Sequence, residues 1–174
     1  MIFMTNTQKK IQKSSKVLSL VFLFVLCSCI IQGLEALLNL VFLLLNRSDA
    51  WKSFSPAFPY ANYPDVCLFY GCRSLMWVCF ITAFALLYLM FRDISREYTP
   101  FRQIHVRRMR WASGMLFGTY GFQTILGGMQ RAWIQGGQGF PFRLDPFLVP
   151  MALIGLSFIL DYACQLQAEA DTTL

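Results

Sequence analysis

The chain has 174 residues, of which 56% are hydrophobic and only 14% charged, an apolar content above that of a soluble domain of this size. A bilayer is therefore the expected solvent. The formal net charge is +6, but a basic balance points to nucleic acid only when the cations share one water-facing surface. Here they fall in two short blocks between apolar stretches, so direct nucleic-acid binding is not expected.

Four apolar segments are long enough to cross a hydrocarbon core about 30 Å thick: residues 17–45, 75–91, 111–134 and 147–164. Their Leu, Phe, Ile and Val density favours helices over the alternating strands of a barrel. The expected fold is all-α, a polytopic membrane protein forming a four-transmembrane-helix bundle, with residues 1–174 as one domain. Lys9, Lys10, Lys13 and Lys16 precede the first segment in the manner of a signal peptide. Its length and the lack of a small-x-small cleavage site argue for a retained span.

The cations predict the orientation. Four Lys in the N-terminal tail and Arg92, Arg96, Arg102, Arg107, Arg108 and Arg110 between the second and third segments outweigh those of the other connections. By the positive-inside rule both termini are cytoplasmic. Residues 92–110 then form a cytoplasmic loop, and 46–72 an external loop whose Pro and aromatic residues suit the headgroup layer. Thr99 and Pro100 read as the N-cap and first residue of a helix running through the Arg cluster into the third span. Asp145 and Pro146 repeat the signature before the fourth, with Pro150 one turn inside it. Gly136–Gly139 reads as a flexible external turn.

Within the spans, Ser28, Gln32, Glu35 and Asn39 share one face of the first helix, and Thr119, Gln123, Gly127 and Arg131 form a similar line on the third. Glu35 and Arg131 both lie in the outer halves of their spans, where an ion pair between them would neutralise both. This stripe (Gln32, Glu35, Asn39, Gln123, Arg131) reads either as a clamp fixing helix register or as part of an ion, proton or ligand path. Gly114, Gly118 and Gly121 allow a close helix approach within the chain or between chains, so a homo-oligomer stays open.

Of six cysteines, Cys67 and Cys72 fall in the external loop, where an oxidising compartment would allow a bridge or leave two thiols. The single histidine, His105, excludes a His-rich metal site, and no phosphate loop, Ser/His/Asp set or carboxylate pair is present. No cofactor, metal or catalytic residue is expected, so the chain does not read as an enzyme.

The stretch "TPFRQIHVRRMR" and the tail "DYACQLQAEADTTL" resemble the bacterial four-span membrane family catalogued as domain of unknown function 2975. Pro100 and Phe101 match its turn, Val106 to Arg110 its basic helix, and Leu166, Gln167, Glu169 and Asp171 its tail. Thr99, His105 and Ala163 depart from its usual Gly, Asn and Gly. The resemblance implies a place in the inner membrane of a bacterial cell and a partnership with a small helix-turn-helix transcriptional regulator. The expected cytoplasmic interaction surface is Pro100, Phe101, Arg107, Arg108, Arg110, Glu169 and Asp171, with Glu169 or Asp171 near the arginines. Alternatively those arginines set topology and contact anionic lipid. The leading expectation is a regulatory or scaffolding membrane protein; the alternative is a small transporter, channel or immunity subunit using Glu35 and Arg131.

Overall fold

A computed structural model of the chain describes residues 6–97, 102–137 and 147–172. These are all-helical: α1 (Asn6–Leu45), the short α2 (Arg47–Phe54), a 3-10 turn (Ser55–Ala57), α3 (Tyr63–Glu97), α4 (Gln103–Ile134) and α5 (Leu148–Thr172). Three of them, over Lys10–Leu45, Tyr63–Arg96 and Leu148–Ala170, are long and apolar enough to cross a membrane. The 32-residue α4 is a fourth long helix, diluted by arginines, glycines and amides.

The long helices form a row. α3 packs on α1 and on α4, α4 packs on α5, and α1 makes no substantial contact with α4 or α5 among the described residues. Neighbours run antiparallel. Ser15, early in α1, donates to the Phe91 carbonyl late in α3, while Tyr63 at the start of α3 donates to the Leu43 carbonyl at the end of α1. Arg108 near the start of α4 meets Asp93 near the end of α3, and Gln103 meets Asp161 far along α5. The beginnings of α1 and α4 and the end of α5 thus share one end of the row, called here the foot.

The α1–α3 contact follows from a strict repeat. Ser15, Ser19, Phe22, Leu26, Cys29, Gly33, Ala36, Leu40 and Leu43 recur at alternating spacings of four and three, and all are buried or half-buried while almost every other α1 position is exposed. A narrow seam of this kind is the coiled-coil pattern, and its small residues let the two backbones approach closely. At Gly33 a Cβ would stand 3.2 Å from Ile81 Cδ1 and 3.3 Å from Trp77 Cβ. Of the glycines expected to mark close approach on α4, only Gly118 has a neighbour, Cys79 Sγ at 3.6 Å, whereas Gly114 and Gly121 face open space.

Two apolar clusters hold the ends. At the far end Leu43, Phe58, Val66, Phe69, Tyr70 and Leu126 join α1, the 3-10 turn, α3 and α4; at the foot Leu87, Met90, Ile94, Met109 and Ala112 join α3 to α4.

Several element boundaries differ from the sequence reading. Residues 46–72 are mostly helix, because α3 starts twelve residues before the apolar run at Leu75. Its start carries a cap signature: Asn62 precedes it, Pro64 occupies the first turn, and the Asp65 carboxylate accepts from the Asn62 N–H at 2.9 Å. The expected loop 92–110 shrinks likewise, since α3 continues to Glu97 and α4 begins at Gln103. Arg102 is the extended residue before α4 (φ −132°, ψ 139°) and has no side-chain cap. Thr99, Pro100, Phe101, Asp145 and Pro146 lie outside the described residues. Pro150 sits in the first turn of α5, where no helical N–H is required, and its buried carbonyl accepts from Ser113 Oγ of α4 at 2.7 Å.

Gly136 is part of a helix stop. With φ at +64° it takes the left-handed conformation that ends α4, and the Gly137 N–H returns to the Arg131 carbonyl at 3.0 Å. The Tyr60 ring lies where a Gly136 Cβ would point, and the Tyr60 N–H donates to the Trp133 carbonyl. The segment after the 3-10 turn is thereby fastened to the end of α4.

Candidate functional site

The foot of the row carries the arginine cluster, and each of its members has a different fate. Arg108, on the α4 face toward α3, makes a 2.6 Å bond to Asp93, with the two side chains only 19% and 22% exposed. Arg92 also approaches Asp93, at 3.6 Å. Arg110 faces α5 and bonds Asp161 at 2.7 Å, while Gln103 donates to the other Asp161 oxygen at 2.8 Å. The Arg110 guanidinium further lies 5.3 Å from the Phe158 ring. Two aspartates therefore tie α4 to both of its neighbours.

The sequence reading expects Glu169 or Asp171 near these arginines. The carboxylates at Arg108 and Arg110 are Asp93 and Asp161, whereas Glu169 comes two helical turns beyond Asp161, further along α5. Asp171 belongs to α5, but its side chain lies outside the described set, as do Pro100 and Phe101. The signal for Asp93 and Asp161 was present in the sequence: each is an acid within one turn of the end of an apolar run, at the level of the arginines once the helices are laid antiparallel.

Arg107 is the exception among the three arginines. It is exposed and makes no ion pair among the described residues. With Gln103, Ile104, Arg110 and Trp111 it lines a surface groove of about 420 Å³, in which Trp111 and Ile104 are 60% and 46% exposed.

At the opposite end, a larger cleft of about 750 Å³ opens between the first half of α3 and the second half of α4, with Ala57 and Phe58 at its rim. Arg73, Gln123, Gln130 and Arg131 line it beside Tyr70, Met76 and Leu126. The sequence reading placed Gln123 and Arg131 on one line of α4, and here they are together. Arg73 joins them because α3 begins at Tyr63, well before the apolar run at Leu75.

The Glu35–Arg131 ion pair is not formed. In an open row α3 stands between α1 and α4, so a carboxylate on α1 does not oppose a guanidinium on α4. Glu35 and Gln32 are exposed, Asn39 is half-buried, and Glu35 lies instead within electrostatic reach of Tyr70, as does Arg73.

Cys67 and Cys72 do not form a bridge; both are free. They occupy one helix five residues apart, a rotation of about 140° around its axis, which turns their side chains away from one another. Each packs at the edge of the far-end apolar cluster.

No protein-family model, curated protein or solved structure matches the chain.

Proposed function

We propose that this is an integral membrane protein whose four long helices all cross the bilayer, with both termini and the foot in the cytoplasm of a bacterial cell, and that it works by binding a partner rather than by catalysis. Three helices have the composition of spans. Support for α4 as the fourth comes from its place in the row: α3 and α5 cover it on two sides, so less of its surface meets lipid and more polarity is tolerated. The lipid-facing surface would be the exposed Leu, Val, Ile and Phe side chains of α1 and α5, and the lysines before α1 and the arginines at the foot would mark the inner leaflet.

The observation that carries the functional reading is the foot groove, where Arg107 is exposed next to Trp111 and Ile104 while Arg108 and Arg110 are engaged by carboxylates. A cation beside exposed apolar surface suits an acidic protein partner. A small cytoplasmic transcriptional regulator of helix-turn-helix type, as the family resemblance implies, is the partner this reading favours. The protein would act as a membrane-bound regulator or scaffold.

Arg107 also makes the cleanest test, because replacing it breaks no observed clamp. Affinity capture from native membranes, after crosslinking and at matched expression, should recover a soluble protein with the wild type and roughly fivefold less with Arg107→Gln, the equivalent of about 1 kcal/mol. An identical set of captured proteins from both would remove the reading. The cleft favours a second one, a small transporter, channel or immunity subunit, now centred on Arg73, Gln123 and Arg131 rather than on a Glu35–Arg131 pair.

A further inference from the structure

The far-end cleft holds two guanidiniums and no acid. Arg73 from α3 and Arg131 from α4 both line it, and among its lining residues there is no carboxylate. Neither guanidinium makes an ion pair or a side-chain hydrogen bond among the described residues. Glu35 of α1 lies within electrostatic reach of Tyr70 and does not line the cleft. Two like charges in one cleft at the edge of a low-dielectric layer repel one another and lose hydration, and a mobile anion between them offsets both costs.

The rest of the cleft fits the head of an amphiphile. Gln123 and Gln130 add amide donors beside the guanidiniums, whose planar forks match the oxygens of phosphate and carboxylate. Met76 and Leu126 supply an apolar wall on the same lining. Phe147, at the start of α5, packs on Phe117 and Tyr120, so α5 itself lies against the half of α4 nearer the foot and does not line the cleft.

We infer that this cleft is a binding site for the oxyanion head of an anionic amphiphile, a phosphate or carboxylate held between Arg73 and Arg131 with its apolar part against Met76 and Leu126. The inference rests on the membrane reading above and is independent of what binds at the foot. The same head chemistry occurs in a lipid and in a free oxyanion, and the two are separable by competition.

The test uses the full-length protein purified in a neutral detergent, with membrane integration first confirmed by resistance to alkaline carbonate extraction, so that failure of the membrane reading is seen separately. Native mass spectrometry with added phosphatidylglycerol should show a bound lipid that phosphatidylcholine does not displace. Binding should fall at least tenfold in the Arg73→Gln, Arg131→Gln double variant. Displacement by millimolar inorganic phosphate would assign the site to a free oxyanion, and persistence would assign it to the lipid. Equal binding by the wild type and the double variant would overturn the inference. Should the double variant misfold, crosslinking of photoreactive phosphatidylglycerol to the wild type decides: adducts in residues 69–76 and 120–135 support the site, and adducts confined elsewhere overturn it.

Discussion

Replacing Asp93 by Ala is expected to destabilise the fold by about 2–4 kcal/mol, because it strands the Arg108 guanidinium between α3 and α4 with only 19% of its side chain exposed. Thermal unfolding in detergent, followed by helical circular dichroism, should show the midpoint falling by several degrees. The pair interaction is then isolated by a double variant. Asp93→Ala with Arg108→Met removes the stranded Arg108 charge and is expected to recover a large part of the loss, while Arg92, the other cation at Asp93, stays in place in both variants. The equivalent change at the other clamp, Asp161→Ala, should lower the midpoint clearly less, since Arg110 is 46% exposed and solvent screens the pair. Equal losses at the two sites would show that burial does not distinguish them.

Gly33→Leu is the second large effect. Even a Cβ at this position meets Ile81 and Trp77 at 3.2 and 3.3 Å, and Leu adds three further carbons to a seam already in contact. Separation of α1 from α3 should cost about 1–3 kcal/mol, the range for overpacked cores. The seam would open at its middle and take Cys29 and Ala36 with it, both of which are buried against α3. Gly114→Leu provides the contrast. That position faces open space, so the same substitution should leave the unfolding midpoint within about 0.5 kcal/mol of wild type. A Gly33→Leu protein as stable as the wild type would mean that the close α1–α3 approach does not form.

The long helices were legible because bilayer-length apolar runs are a strong composition signal; the helix ends were not. α3 begins with Asn62, Pro64 and Asp65, a capping pattern that the aromatic and Pro-rich surroundings disguise as loop, and missing it hid Arg73 and placed Cys67 and Cys72 on a flexible segment. The polar residues of α1 were found at the right spacing but assigned to the wrong face. Gln32 and Glu35 each precede a seam residue by one position, a rotation of about 100° that moves them out of the interface. The seam itself was readable as a four-three repeat, yet its Ser, Cys, Gly and Ala members carry little hydrophobic contrast against Leu-rich neighbours. Pairing across helices depends on the order of packing, which periodicity does not encode: a closed bundle would have let Glu35 approach Arg131, and the row does not. Arg108 and Arg110 were expected to meet Glu169 or Asp171, whereas the acids that bond them, Asp93 and Asp161, sit at the margins of apolar runs, where an acid reads as a helix end.

The central claim is that all four long helices cross the membrane with the foot inside, and α4 is its weakest member by composition. Paired reporter fusions after Ala57, Glu97, Gly137 and Leu174, with alkaline phosphatase active only outside the inner membrane and a fluorescent protein folding only inside, test it most directly. The account predicts phosphatase activity at Ala57 and Gly137 and fluorescence at Glu97 and Leu174. Fluorescence without phosphatase activity at Gly137 would mean that α4 does not cross, and the four-span account would fail.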